Sequence, residues 1–183
     1  DLVRSRGLGD VYKRQVVNAL SSWVRVEVRR NDRLYVQTYA RGVPQGELTS
    51  EVADRPGTGT RVSFLPDDEI FTVDREFDYA TLSNRLRELA YLNAGVKITF
   101  TDHRLELLKV AEPKIETYCY EGGIREYVGY MNRDRQPLQE DVIYVQGEKD
   151  GVHVEVAMQW CVDAYTDSLF GFANNIRTVD GGT

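Results

Sequence analysis

Positive charge is in short supply in this 183-residue chain: 23 Lys and Arg stand against 29 Asp and Glu, a formal net charge of -6. Affinity for nucleic-acid phosphates comes from clustered Lys and Arg, so the chain as a whole does not read as a major phosphate-binding surface, although contact through a local patch stays open. Histidine is scarcer still. His103 falls in a polar turn and His153 on the polar side of an alternating stretch, so each reads as a solvated residue rather than a base or ligand. Cys119 and Cys161 lie far apart without metal-ligand spacing and read as two reduced thiols of a cytoplasmic protein. No apolar run approaches the roughly 20 residues that span a bilayer, and no basic-apolar-small secretory pattern opens the chain, so no membrane partner is expected. There is no initiator Met either, and the chain is expected to be a piece of something longer. No Ser-His-Asp or Cys-His constellation suggests itself. The carboxylates are abundant but scattered, and without geometry no pair is assigned an acid-base role. No catalytic residue and no metal ligand is therefore nominated.

What is present is ordinary for a soluble globular protein, 42% hydrophobic and 28% charged, with room for one domain or two small ones. The stretch around which the rest is organised runs from Ala80 to Asp102. Leu82, Leu86, Leu89 and Ala90 recur at helical spacing while Arg85, Arg87 and Glu88 point elsewhere, which predicts an amphipathic helix with one face to bury. Asp78 is placed to cap its start and Gly95 to close its end in the left-handed conformation. Val96, Ile98 and Phe100 then alternate with Lys97, Thr99 and Thr101, a change of period from helix to strand.

Residues 1–15, DLVRSRGLGDVYKRQ, fit neither period and resemble translated adaptor sequence at the ends of metagenomic reading frames, so a non-native leader is expected there. Gly7 and Gly9 make only a lone GLG with no preceding strand, weak grounds for a phosphate loop. VVNALSSW reads as the last turns of a helix closed by Trp23. Val24, Val26 and Val28, the turn residues Asn31 and Asp32, and Leu34, Val36 and Thr38 predict a β-hairpin with one wet face. Residues 41–59 read as a long connection of the kind that is often functional or mobile. A third strand runs from Thr60 through Val62 and Phe64 to Pro66, and the strand after the helix adds a fourth to the same sheet. Strands joined by hairpins and covered on one face by helices predict a mixed α/β two-layer sandwich. His103 to Tyr120 reads as a short turn plus linker, GIREYVGYMNR as a short helix, and VIYVQGEKDG with VHVEVAMQW as two strands around Asp150 and Gly151. A final strand, SLFGFANNI, follows the loop CVDAYTD. The domain boundary is expected near 103–122, giving segments 16–110 and 111–183.

One turn is a candidate binding element. In Thr58-Gly59-Thr60, a small residue and a hydroxyl at a strand start can approach a purine and hydrogen-bond its edge or a bound water. The alternative is a loop returning to a strand, with Thr60 simply favouring β conformation.

Six ordered blocks carry a family resemblance: VVNALS (16–21), GTGTRVSFLPDDEIF (57–71), RLRELAYLNAGVKITFTD (85–102), YEGGIREYVGYMNR (120–133), GEKDGVHVEVAMQW (147–160) and FANNIRTVDGGT (172–183). Residues 16–183 resemble the gyrase B family, the ATPase subunits of bacterial type II DNA topoisomerases. The paralogous topoisomerase IV subunit is the alternative within that class, and a non-enzymatic α/β interaction module the alternative outside it. The resemblance implies the rear of a Bergerat-type (GHKL) ATP-binding domain followed by the start of a transducer domain with a ribosomal protein S5-like fold. It further implies that Thr60 contributes to an adenine pocket, that Val62 lines it, and that Arg30 stands at its rim, where ATP-competitive inhibitors of the family also reach.

For the parent protein the resemblance implies ATP and Mg2+ as cofactors, DNA and the gyrase A subunit as partners, ATP-dependent homodimerisation and a cytoplasmic location. The family's general-base Glu, Mg-binding Asn, adenine-reading Asp and glycine-rich lid match nothing in these 183 residues, nor does the transducer Lys that reaches the γ-phosphate. The chain alone is therefore expected to be inactive and to bind no nucleotide tightly. The segment CVDA (161–164) departs from the family pattern and puts one loop between transducer strands in doubt.

Overall fold

The computed structural model describes residues 15–73, 76–108, 110–163, 166 and 168–178. All of the expected leader except Gln15, and part of the CVDAYTD loop, lie outside the described residues. The chain divides into two compact units, Asp1–Phe77 and Asp78–Thr183, so the boundary expected after residue 110 falls inside the second.

In the first unit a helical turn over residues 15–19 (α1) leads directly into β1 (Ser21–Arg30). The helix ends earlier than Trp23: the nearly buried Ser21 turns its hydroxyl back onto the Val17 carbonyl at 2.6 Å, and Trp23 already pairs with Leu65 in the sheet. β2 (Arg33–Ala40) returns antiparallel through Asn31 and Asp32, both at positive φ (53° and 54°), the two-residue turn that matches strand twist. The expected long connection contains two short strands, β3 (Val43–Pro44) and β4 (Thr49–Val52), both hydrogen-bonded to β2. β5 (Gly59–Pro66) closes the order β3-β2-β1-β5, with β4 also on β2. Asp67, almost wholly buried, fastens the end of β5. It accepts from Arg41 Nε at 2.6 Å and Nη2 at 3.2 Å and from the Glu69 N–H at 3.0 Å, while its own N–H donates to the Leu20 carbonyl.

Register corrects one expectation about the hairpin. Because Arg30 pairs with Arg33, Val24, Val26 and Val28 stand opposite Tyr39, Gln37 and Tyr35, whereas Leu34, Val36 and Thr38 stand opposite Arg29, Glu27 and Arg25. The apolar sets of the two strands therefore lie on opposite faces, and neither face is the single wet one.

The second unit begins with α2 (Tyr79–Leu92), whose first turn is capped by Asp78 Oδ1 accepting the Thr81 N–H at 2.7 Å. It ends on Asn93, whose amide donates to the Leu89 carbonyl. Gly95 (φ +75°) turns the chain two residues later. β6 (Ile98–Asp102) does not join the five-stranded sheet. It pairs instead with β7 (Lys114–Tyr118), a strand inside the expected linker, the two connected through α3 (Leu105–Leu108). α2 packs on β6, β7 and α4 (Ile124–Met131).

The buried residues of α2 are Ser83, Ala90 and Tyr91, while Leu82, Leu86 and Leu89 are only half-buried. Tyr91 lies between ring neighbours, stacked on Tyr120 at 3.6 Å and on Tyr127 at 5.0 Å. The Glu121-Gly122-Gly123 break brings α4 close to the end of α2: Gly123 sits at φ +59°, and a Cβ there would lie 3.3 Å from Ala94 Cβ. β8 (Ile143–Lys149) and β9 (Val152–Met158) form the expected hairpin around Asp150 and Gly151. The expected final strand is instead a small hairpin, β10 (Phe172–Ala173) and β11 (Ile176–Arg177), because Asn174 and Asn175 both take positive φ and reverse the chain.

Candidate functional site

The three residues singled out from sequence meet on one face of the five-stranded sheet. In β5 Thr60 stands opposite Val28 and Val62 opposite Val26, and Arg30 follows two residues after Val28 on the same side of β1, diagonal to Thr60. The row continues into β2 with Tyr35 opposite Val28 and Gln37 opposite Val26. Thr60 is exposed, Val62 is 53% exposed, and Phe64 at the far end of the row is 44% exposed. A hydroxyl thus sits beside a strip of uncovered aliphatic surface, with a guanidinium at the margin.

The opposite face has a different character. There Glu27 accepts from Arg25 at 3.1 Å and lies 3.9 Å from Arg61, so this carboxylate is matched by two cations. On the Thr60 face, by contrast, Arg33 stands directly across from Arg30 and is held by Ser50 Oγ at 2.8 Å and the Ser50 carbonyl at 3.3 Å.

Sequence reading took Val26 and Val28 as ordinary strand residues and missed their place beside Thr60 and Val62, along with Tyr35 and Gln37. The signal that could have found them is the two-residue turn at Asn31–Asp32, which fixes the pairing of every residue along β1 and β2.

Several charged and phenolic groups of the second unit are bonded to one another. Glu116 accepts from Tyr79 and Ser83 hydroxyls at 2.6 and 3.3 Å and from Tyr118, and pairs with Arg87 at 3.4 Å and Lys114 at 3.6 Å. The Tyr118 and Tyr79 hydroxyls hold its carboxyl down at about 2, well below its ordinary 4.5. Burial, followed by the Glu116 bond, pushes the Tyr79 phenol upward. Arg85 pairs with Glu88 and donates to the Asn175 carbonyl. Asp102 is likewise held at about 2 by Arg104. His103 is exposed, and His153 meets Glu155 at 3.0 Å on an exposed strand.

The sheet face offers an exposed hydroxyl, able to donate or accept a hydrogen bond, beside partly exposed aliphatic surface. For a divalent metal the donor set does not fit. Among the described residues no three His, Cys, Asp or Glu side chains gather where they could hold an ion.

Residues 123–183 match the family model described as DNA gyrase B. Over 168 residues, 92% of the chain, the sequence is 59% identical to the DNA gyrase B protein of Synechocystis sp. and 45% identical to that of Halalkalibacterium halodurans. The chain belongs to the DNA gyrase B family. Its fold agrees with that of a solved family member, the 43K ATPase domain of Thermus thermophilus gyrase B in complex with an aminocoumarin: the TM-score is 0.77 at 34% identity, covering 93% of this chain and 44% of that one. The mixed α/β architecture is therefore that of the gyrase B ATPase region, as expected. The chain spans 15% of the Synechocystis protein and 25% of the Halalkalibacterium protein.

Proposed function

We propose that this gyrase B family chain is the rear of an ATP-binding domain (16–110) followed by the start of an S5-like transducer domain (111–183). The parent would be the ATP-hydrolysing subunit of a type II DNA topoisomerase that supercoils DNA negatively. The observation that carries the reading is the convergence of Thr60, Val62 and Arg30 on one exposed sheet face in a chain of this family. In this reading Thr60 hydrogen-bonds the adenine edge directly or through water, Val62 with Val26 and Val28 supplies the surface under the ring, and Arg30 closes the rim.

The Thermus thermophilus relative is a gyrase B ATPase domain in complex with an aminocoumarin, which supports a small-molecule site on this type of domain. The onset of the family match at residue 123 supports a transducer segment beginning shortly before it. The Synechocystis and Halalkalibacterium relatives are gyrase rather than topoisomerase IV proteins, which favours gyrase as the parent. ATP with Mg2+, DNA, the gyrase A subunit, ATP-dependent pairing of two copies and a cytoplasmic setting follow for the parent protein. Among the described residues no helix is long and apolar enough to cross a membrane.

The 183 residues alone carry no counterpart of the family's base, metal ligand or γ-phosphate lysine, so they activate no water. A coupled ATPase assay on the purified chain tests this: no turnover above a heat-denatured control is expected, and saturable ATP hydrolysis contradicts it.

A further inference from the structure

The turn of the β10–β11 hairpin is tied to α2 across a long stretch of sequence. Asn174 and Asn175 reverse the chain at positive φ (49° and 64°), which brings Phe172 opposite Arg177 and Ala173 opposite Ile176. Asn175 is the inward residue of this turn, half-buried between the exposed Asn174 and Ile176. Its amide donates to Asn93 Oδ1 at 3.1 Å, and its backbone carbonyl accepts from the Arg85 guanidinium, partners that lie 82 and 90 residues earlier. Both partners are themselves fixed. The Asn93 amide donates to the Leu89 carbonyl at 2.7 Å, which leaves its oxygen to accept from Asn175, and Arg85 is paired with Glu88, which in turn accepts the Tyr127 hydroxyl at 3.3 Å.

The character of this contact differs from that between α2 and α4. Those helices meet through buried rings, with Tyr91 stacked on Tyr120 and Tyr127, and apolar packing secures them. The hairpin contact is polar. Hydrogen bonds between partly exposed groups exchange with water at small net cost, so they can be made and broken without disturbing a core. As proposed, α2 belongs to the nucleotide-binding segment (16–110) and β10–β11 to the transducer segment (111–183). The bonds at Asn175 therefore cross from one segment to the other, and hydrogen-bonded contacts between rigid elements are one physical means of carrying coupling.

We propose that Asn175 is a positioning residue for coupling: through Asn93 and Arg85 it holds the β10–β11 turn to α2, and ATP turnover drives DNA supercoiling only while that hold is intact. The proposal rests on the reading of 16–110 as nucleotide-binding and 111–183 as transducer. Asn175 acts on neither the nucleotide nor the DNA directly, so losing its bond leaves ATP hydrolysis running and separates it from supercoiling.

The test uses the full-length protein proposed as parent, with the gyrase A subunit and relaxed plasmid DNA, and two variants. Asn175→Gly keeps the carbonyl that Arg85 holds and makes an Asn-Gly turn, the favoured sequence for positive φ at both positions, while deleting the amide that reaches Asn93. Asn93→Ala deletes the acceptor of the same bond. Expected in each are kcat and KM for ATP within about twofold of wild type, an unchanged Tm, and about fivefold or fewer supercoils introduced per ATP hydrolysed. The double variant is expected to be no worse than Asn93→Ala alone, because both changes remove one bond. Undiminished supercoiling per ATP overturns the proposal. So do an ATPase rate that falls in step with supercoiling, additive losses in the double variant, or failure of both single variants to fold, since each makes the bond structural only. An unsubstituted parent that hydrolyses no ATP contradicts the nucleotide reading, and the proposal with it, so the wild-type rate tells the two failures apart.

Discussion

Replacing Glu116 by Gln keeps the shape of the side chain and removes the charge on which five neighbours converge. Tyr79, Ser83 and Tyr118 donate to it as hydroxyls, and Arg87 and Lys114 approach it as cations. The glutamine amide can accept at only one of its two terminal atoms, and its NH2 meets donors. Lowering the carboxyl from 4.5 to about 2 corresponds to at most about 3 kcal/mol of preference for the ionised form in the folded chain. The side chain is 27% exposed, and screening by water and salt reduces the effect to about 1–2 kcal/mol.

The sign follows from the depressed value. The contribution is fully present above the unfolded value of 4.5 and is lost as pH falls through the folded value of about 2. Urea denaturation of wild type and Glu116→Gln at pH 7, 5 and 3 should therefore show a difference of about 1–2 kcal/mol at pH 7 and 5 that drops to about half or less at pH 3. Equal differences at pH 7 and pH 3 would refute the reasoning, because the loss would then come from shape and not from charge.

Further outcomes can be checked on the same chain. Tyr91→Ala removes a ring that is 4% exposed and stacked on Tyr120, and should cost about 3–5 kcal/mol, read as a lower urea midpoint with loss of near-ultraviolet circular dichroism. Gly123→Ala places a side chain at φ +59° and ψ −132°, a backbone region sparsely populated by residues other than glycine, 3.3 Å from Ala94 Cβ, and should cost about 1–3 kcal/mol with secondary-structure content unchanged by far-ultraviolet circular dichroism. Thr60→Val keeps the β-branch on an exposed strand position and should change stability by less than about 0.5 kcal/mol in thermal denaturation.

Local signals in the sequence were legible where backbone chemistry is local. The Asp78 cap, the Asn31–Asp32 and Asp150–Gly151 turns and the helical period of α2 each act over a few residues, and each is found where it was expected. What failed depended on pairing at a distance. β7 was hidden because KIETY carries a single large aliphatic residue, and its partner β6 read equally well as a fourth strand of the first sheet. The leucine stripe of α2 suggested the buried face, yet the deepest residues are Ser83, Ala90 and Tyr91, since aromatic stacking and the Glu116 network decide that contact. The same limit applied to the site. Thr60 and Val62 were visible from their motif, but their neighbours Val26, Val28, Tyr35 and Gln37 needed the register of three strands.

The central claim is that the sheet face of Thr60, Val62 and Arg30 receives the adenine of ATP in the full-length protein to which this chain is proposed to belong. Equilibrium binding of ATP to that protein, with and without Thr60→Val, tests it most directly. The account predicts affinity at least tenfold weaker in the variant with an unchanged Tm, a loss of about 1.4 kcal/mol or more. Equal ATP affinity in the two proteins would contradict it.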